Sequence, residues 1–225
     1  MLKYNLLAKG LITEDCQKMG KSILVIGAGG HARSVIDAVL SCGEYDKIAV
    51  LEDFGAQEVL GYKVIGKVSE AQNFLGEYQN AVVAVGDNDF RLKTIDYLKG
   101  LGFNLPCIIH KTAYISCFSS IGEGSVVLGS SIINANVKIG MGVIINSSVT
   151  VEHDCIVSDG VHLSPNAVLC GGVIVGNKTW IGSGATVIDH INIGKNVIIG
   201  AGSVVIRNIC DNVKAYGNPA RIKGE

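Results

Sequence analysis

No stretch of this chain is apolar over the roughly 18 residues a membrane-crossing helix requires, and its first residues carry neither the apolar core nor the cleavage site of a secretory signal. A cytoplasmic chain with no membrane insertion is therefore expected. Charge of either sign is also in short supply as a block: 19 Lys and Arg stand against 20 Asp and Glu, with no long run of one kind. That excludes the electrostatic footprint of nucleic-acid or membrane-surface binding and leaves small molecules as the expected partners. The seven cysteines include no CxxC pair. Buried free thiols are expected, not a disulfide framework or a thiolate metal site. What remains, 225 residues of which 48% are hydrophobic, suffices for one or two domains with a real core.

What is present is a period. From Ile109 to Val205 a branched aliphatic residue returns at every sixth position without a break, through Ile115, Ile121, Val127 and so on to Ile193 and Ile199. Two positions before a hit stands a small or β-branched residue, as at Ser125, Ser131, Cys155, Ala167 and Thr179, and Gly often follows it. A period of six fits neither an amphipathic helix nor a two-sided strand, and points to a parallel β-helix. Each hexad then supplies one short inward-facing strand and one corner, turned by Gly, Asn or Asp, for which left-handed backbone angles are accessible. No long loop interrupts the repeat. The aliphatic column is scaffold, and chemistry has to come from the corners.

The chain ahead of the repeat divides in two. Residues 1–20 have no period and read as an extension. Residues 21–106 read as a small Rossmann-like domain: a strand Ser22–Ile26, a turn Gly27-Ala-Gly29-Gly30-His31-Ala32, a helix from Arg33 to Ser41, and a second strand Lys47–Leu51 ending in Glu52-Asp53. Glycines there let backbone approach a phosphate, and an acid at the end of the second strand can bind a ribose or base. A third strand, Ala81–Val85, leads into Gly86-Asp87-Asn88-Asp89 and a helix Phe90–Lys99. This length falls short of a full dinucleotide fold, so a mononucleotide-sized module is expected, with Pro106 at its exit. Residues 107–225 are the β-helix and its tail.

The succession GAGGHA, GDN followed by Arg91, a hexapeptide repeat containing Val151-Glu152-His153-Asp154-Cys155, and Tyr216-Gly-Asn-Pro-Ala-Arg221 resembles the acetyltransferases of nucleotide-linked amino sugars. The bacillosamine, perosamine and viosamine N-acetyltransferases are of this type, and sialic acid O-acetyltransferases are relatives. The resemblance covers about Lys21 to Lys223. It implies a left-handed parallel β-helix of three hexads per coil, here about 5 to 6 coils and roughly 25 Å tall at strand spacing. It also implies a homotrimer, acetyl-CoA lying along the β-helix between subunits, a nucleotide sugar on the N-terminal domain, and no metal.

Acyl transfer from a thioester needs a base beside the attacking group and donors for the oxyanion. His153 stands third in its hexad, outside the inward column, and Asp154 is placed to fix its tautomer, so this pair is expected to be catalytic. By resemblance, His162 lies near the acetyl group, Asn146 near the base, Gly171 with its N–H toward the thioester carbonyl, and Arg221 or Lys223 near the CoA phosphates. Within one chain His162 should lie well around the prism from His153, meeting it only across a subunit interface. For the nucleotide sugar, His31 is expected at the turn, Gly29, Gly30 and Ser34 on the diphosphate, and Glu52 and Asp53 on base or ribose. Arg91 is as compatible with a solvated helix face.

His110 and His190 read as exposed corner residues. A zinc-dependent carbonic anhydrase would need three converging imidazoles, and His153, His162 and His190 occupy different hexad positions. Two other readings stay open at this point: O-acetylation of a sialic-acid-like hydroxyl, and a non-catalytic nucleotide-sugar scaffold.

Overall fold

A computed structural model describes residues 21–224, so the extension read over residues 1–20 lies outside the described residues. The N-terminal part is a five-stranded sheet. Its elements are β1 (Lys21–Ile26), α1 (Gly30–Cys42), β2 (Tyr45–Leu51), β3 (Glu58–Val59), β4 (Tyr62–Gly66), a 3₁₀ helix (Val68–Phe74), β5 (Asn80–Val83) and α2 (Asn88–Leu101). In space the strands run β3-β4-β2-β1-β5, all parallel except the β3–β4 hairpin. β1 lies between β2 and β5 and is covered on both faces, which is why Ile23-Leu24-Val25-Ile26 is an unbroken apolar run and not an alternating one. Ile23 and Val25 pack in the cluster that holds α1, whereas Leu24 and Ile26 pack with Ile95 and Leu98 of α2.

Both helices begin earlier than the residues suggested. α1 starts at Gly30 because Gly29 takes the extended N-cap conformation, and α2 at Asn88 because the Asp87 carboxylate accepts the Phe90 N–H at 2.8 Å. The β3–β4 hairpin, turned through Leu60-Gly61 at positive φ, was not legible at all.

Beyond Pro106 the chain winds into two-residue strands that form the three faces of a left-handed β-helix. Residues 18 apart stack, as in Ile144, His162 and Trp180. One face carries eight strands, one six and one five. The inward aliphatic column is closed to solvent from Val127 to Val205, and the small-residue column beside it is buried as well. Polar members of that column survive because their hydroxyls bridge coils: Thr179 Oγ1 donates to the Gly194 carbonyl at 2.7 Å and accepts the Val197 N–H at 3.0 Å. Left-handed corners fall on Gly and Asn as expected, and also on Ser130, Ser148, Lys178 and His190. Gly176 has a packing reason: a Cβ there would stand 2.6 Å from the backbone of Gly194, one coil on.

The sheet domain sits on the lower coils. Gly124, Gly142 and Gly160 form a flat corner against which Leu92 and Ile95 of α2 pack. Arg91 is no solvated residue. Only 1% exposed, it donates from Nε to the Gly142 carbonyl (2.7 Å), from Nη2 to the Gly160 carbonyl (2.8 Å) and Asn88 Oδ1 (2.7 Å), and from Nη1 to the carbonyls of Val85 and Gly86 (both 3.1 Å). One guanidinium thus ties the β5–α2 loop to two coils, and those carbonyls compensate its desolvation.

The six described cysteines are free, yet only Cys155 is buried, and Cys117 and Cys210 are exposed. Cys155 fills an inward small-residue slot, whereas Cys117 lies in a turn and Cys210 follows the bridge residue Ile209. No helix among the described residues is long and apolar enough to cross a membrane.

Candidate active site

Two cavities meet at one loop. The first, about 420 Å³, lies at the carboxyl ends of β1, β2 and β5 and is lined by Gly27, Gly29, Gly30, His31, Glu52, Phe54 and Gly86. Gly27 is required at its base, with φ +108° and space for no Cβ, which would lie 2.9 Å from Val85. The α1 N-terminus opens here without a side-chain cap, so its first N–H groups are available to an anion. The second cavity, about 730 Å³, runs from Gly86 and Asp87 at the start of α2 up the eight-stranded face past His162, Lys178, Trp180 and Ile198.

His31 and His162 stand where the cavities join, with ring centroids 6.3 Å apart. The indole of Trp180 is stacked on His162 at 5.6 Å and 6°, and its Nε1 donates to Ser164 Oγ at 2.7 Å, which fixes the sandwich. Burial, reinforced by the Arg91 charge, lowers the His162 pKa to about 3 and that of His31 to about 4. Both imidazoles are therefore neutral at physiological pH. His31 Nε2 is buried without a hydrogen-bond partner among the described residues, and His162 Nε2 is 3.5 Å from Asn146 Nδ2. Above His162 the same face presents Trp180, Ile198 and Lys214 in succession, and the last strand of that sheet carries Arg221.

His153 is elsewhere. It sits at the corner between the six- and five-stranded faces, opposite the eight-stranded face, with 62% of its side chain exposed. Its Nδ1 is 2.8 Å from Asp154 Oδ2, which assigns the proton to Nδ1 and leaves Nε2 open as an acceptor. Asn136 Nδ2 donates to the other oxygen of Asp154 at 2.6 Å. Those bonds, Asn136 first and His153 second, hold the Asp154 carboxyl below its ordinary range. Gly171, one coil on, lies over the ring; a Cβ there would be 2.7 Å from His153 Cε1.

Residues 22–98 match the family model described as the PglD N-terminal domain, and residues 172–207 that of the bacterial transferase hexapeptide (six repeats). The acetyltransferase domain of PglB from Neisseria gonorrhoeae, solved with acetyl coenzyme A, is 36% identical and superposes at a TM-score of 0.88 over 90% of this chain and 99% of that one. The chain belongs to the hexapeptide-repeat acetyltransferases of nucleotide-linked amino sugars. PerB from Caulobacter crescentus, solved with CoA and GDP-perosamine, is 38% identical, with 90% of this chain and 97% of that one covered at a TM-score of 0.87. WeeI from Acinetobacter baumannii is 27% identical at 0.82, covering 90% and 99%. An uncharacterized protein, L142, of Acanthamoeba polyphaga mimivirus is 34% identical over 118 residues, which is 52% of this chain but 23% of that protein.

Within this acetyltransferase, Gly29, Gly30, His31 and Glu52 gather at the first cavity, and Asn146 and His162 at the junction. Asp53 does not line that cavity; its Oδ1 accepts the Val68 N–H at 3.0 Å. Ser34 lines a separate cleft of about 410 Å³ with Arg33, Asp37, His110 and Ser147. His110 is only 17% exposed there, bonded to Thr112 and 3.7 Å from Asp37, because α1 packs over the first coil. His190 is an exposed corner residue, directly above Gly172 and in the same column as Asp154. No group of three His, Cys, Asp or Glu with the geometry of a metal site occurs among the described residues. Sequence reasoning passed over Trp180 and Phe54. Trp180 had a signal: it is the one tryptophan and follows His162 by a single coil.

Proposed function

We propose that this acyltransferase moves acetyl from acetyl-CoA to the amino group of a nucleotide-linked 4-amino-4,6-dideoxy sugar. The observation that carries the reading is the meeting of two cavities at His31, Gly86 and His162, with a neutral imidazole pair between them. The first cavity takes the nucleotide sugar, its diphosphate against the open turn of α1. The second takes acetyl-CoA along His162, Trp180 and Ile198. Four strand steps of about 4.8 Å separate His162 from Arg221, roughly 19 Å, about the reach of a pantetheine arm to its phosphates. PerB, which has GDP-perosamine and CoA bound, supports this pairing of substrates.

The exposed His153–Asp154 pair needs a substrate that its own chain does not place beside it. We assign the base in trans, in a homotrimer whose neighbouring corner enters the junction. The partner subunit's His153 takes a proton through Nε2 as the amine nitrogen bonds to the thioester carbon, with Asp154 stabilising the imidazolium. Backbone N–H donors near Gly171 hold the oxyanion. The C–S bond then breaks, and CoA leaves as the thiol with that proton. His162, kept neutral, orients the acetyl group without contributing a competing charge.

The same reading divides the chain near residue 106 into a substrate-holding and a catalytic part, and places the enzyme in the cytoplasm, making acetylated nucleotide sugars for surface glycans. Incubation with acetyl-CoA and UDP-, GDP- and dTDP-linked 4-amino-4,6-dideoxy sugars, following release of CoA thiol, tests it. Turnover with one sugar fixes the acceptor; silence across the panel, with hydroxyl acceptors turned over instead, would refute N-acetylation.

A further inference from the structure

The loop after β2 is built in an unusual way. The Glu52 carboxylate, 7% exposed, accepts the N–H groups of both Phe54, at 2.7 Å, and Ala56. Asp53 is engaged with Val68 N at the first residue of the 3₁₀ helix, and Gly55 turns the loop at φ +94°. Both acids are thereby committed to backbone donors. Phe54, its own N–H pinned by Glu52, projects a ring that is 94% exposed at the rim of the 420 Å³ cavity, whose other walls include Gly29, Gly30 and His31. Exposing a whole phenyl ring is unfavourable unless something covers it. The buried carboxylate fixes the backbone from which the ring projects, as a stacking platform at the cavity rim requires.

We infer that Phe54 stacks on the nucleobase of the acceptor nucleotide, and that Glu52 braces the loop that carries the ring instead of reading the base edge. This rests on the assignment of the first cavity to the nucleotide sugar. An aromatic face meets the π surface that purines and pyrimidines share, so Phe54 contributes affinity to every base and little choice between them.

Calorimetric titration of UDP, GDP, dTDP and inorganic pyrophosphate into the full chain, with Phe54→Ala and Phe54→Trp variants, tests this. Phe54→Ala is expected to weaken each of the three nucleotides about tenfold, with pyrophosphate, the acetyl-CoA KM and the melting temperature unchanged, and Phe54→Trp to restore binding. Equal affinity of wild type and Phe54→Ala for all three nucleotides would overturn the inference while leaving the cavity assignment standing. So would equal weakening of pyrophosphate, or a change in sedimentation with nucleotide affinity intact, which would make the ring a subunit contact. Failure of the wild-type protein to bind any of the nucleotides would overturn the cavity assignment and the inference together.

Discussion

His153 and His162 are nine residues apart and have been given opposite environments. His153 stands on a corner, 62% exposed, with a carboxylate on Nδ1 and a free Nε2. His162 lies on a face, stacked under Trp180, beside a buried arginine, with its pKa lowered to about 3. His162 can gain a proton only by placing charge in a desolvated site near Arg91. Half a coil of prism separates the two, and that half-turn leaves one imidazole in solvent beside a carboxylate and the other buried under an indole.

The largest effect should come from removing the proposed base. His153→Ala is expected to reduce kcat by about 10²–10⁴-fold, with the sedimentation coefficient unchanged. Near-normal turnover would erase the contrast between the two histidines. Arg91→Met comes next: four backbone carbonyls and Asn88 lose their donor, and the junction of sheet domain and coils should be destabilised by about 3 kcal/mol, read by denaturant unfolding. If Arg91→Met unfolds like the wild type, the guanidinium does not clamp the two parts together.

Trp180→Ala should raise the acetyl-CoA KM about tenfold and leave the nucleotide-sugar KM alone, because the indole lines the second cavity and not the first. The remaining effect is a slope, small over any one pH step. The folded-state pKa values of His31 and His162 are lowered, so between about pH 6.5 and pH 4 the unfolded chain binds protons that the native protein refuses. Stability should therefore fall with acidification through that window, by up to ~1.4 kcal/mol per pH unit for each histidine. His162→Gln should flatten the melting-temperature profile there.

Much of this was legible in the residues. The six-residue period needs no partner information, because an aliphatic side chain at each sixth position is buried only in a prism of that period, and Ile133, Val151, Leu169 and Val187 are all at 0% exposure. The turn of Gly27 to His31 was legible for a similar reason: a φ of +108° with no space for a Cβ leaves glycine as the one choice. Arg91 was not legible, since an arginine in the first turn of a helix has the same sequence whether it faces water or two carbonyls from distant coils. Nor were the commitments of Glu52 and Asp53, which depend on where Phe54, Ala56 and Val68 return to meet them. His110 was misread as an exposed corner residue, and the cleft that Ser34 lines was not foreseen, because the packing of α1 on the first coil was unknown.

The sequence by itself determined the architecture and the inventory of reactive groups, because strand period, glycine turns and a histidine next to an aspartate are local properties of the chain. Only the tertiary structure decided what those groups are: which histidine is buried and neutral, which arginine is a clamp, which acid holds a loop. Burial, and with it the dielectric and the hydrogen-bond partners of each charge, comes from residues far apart in sequence.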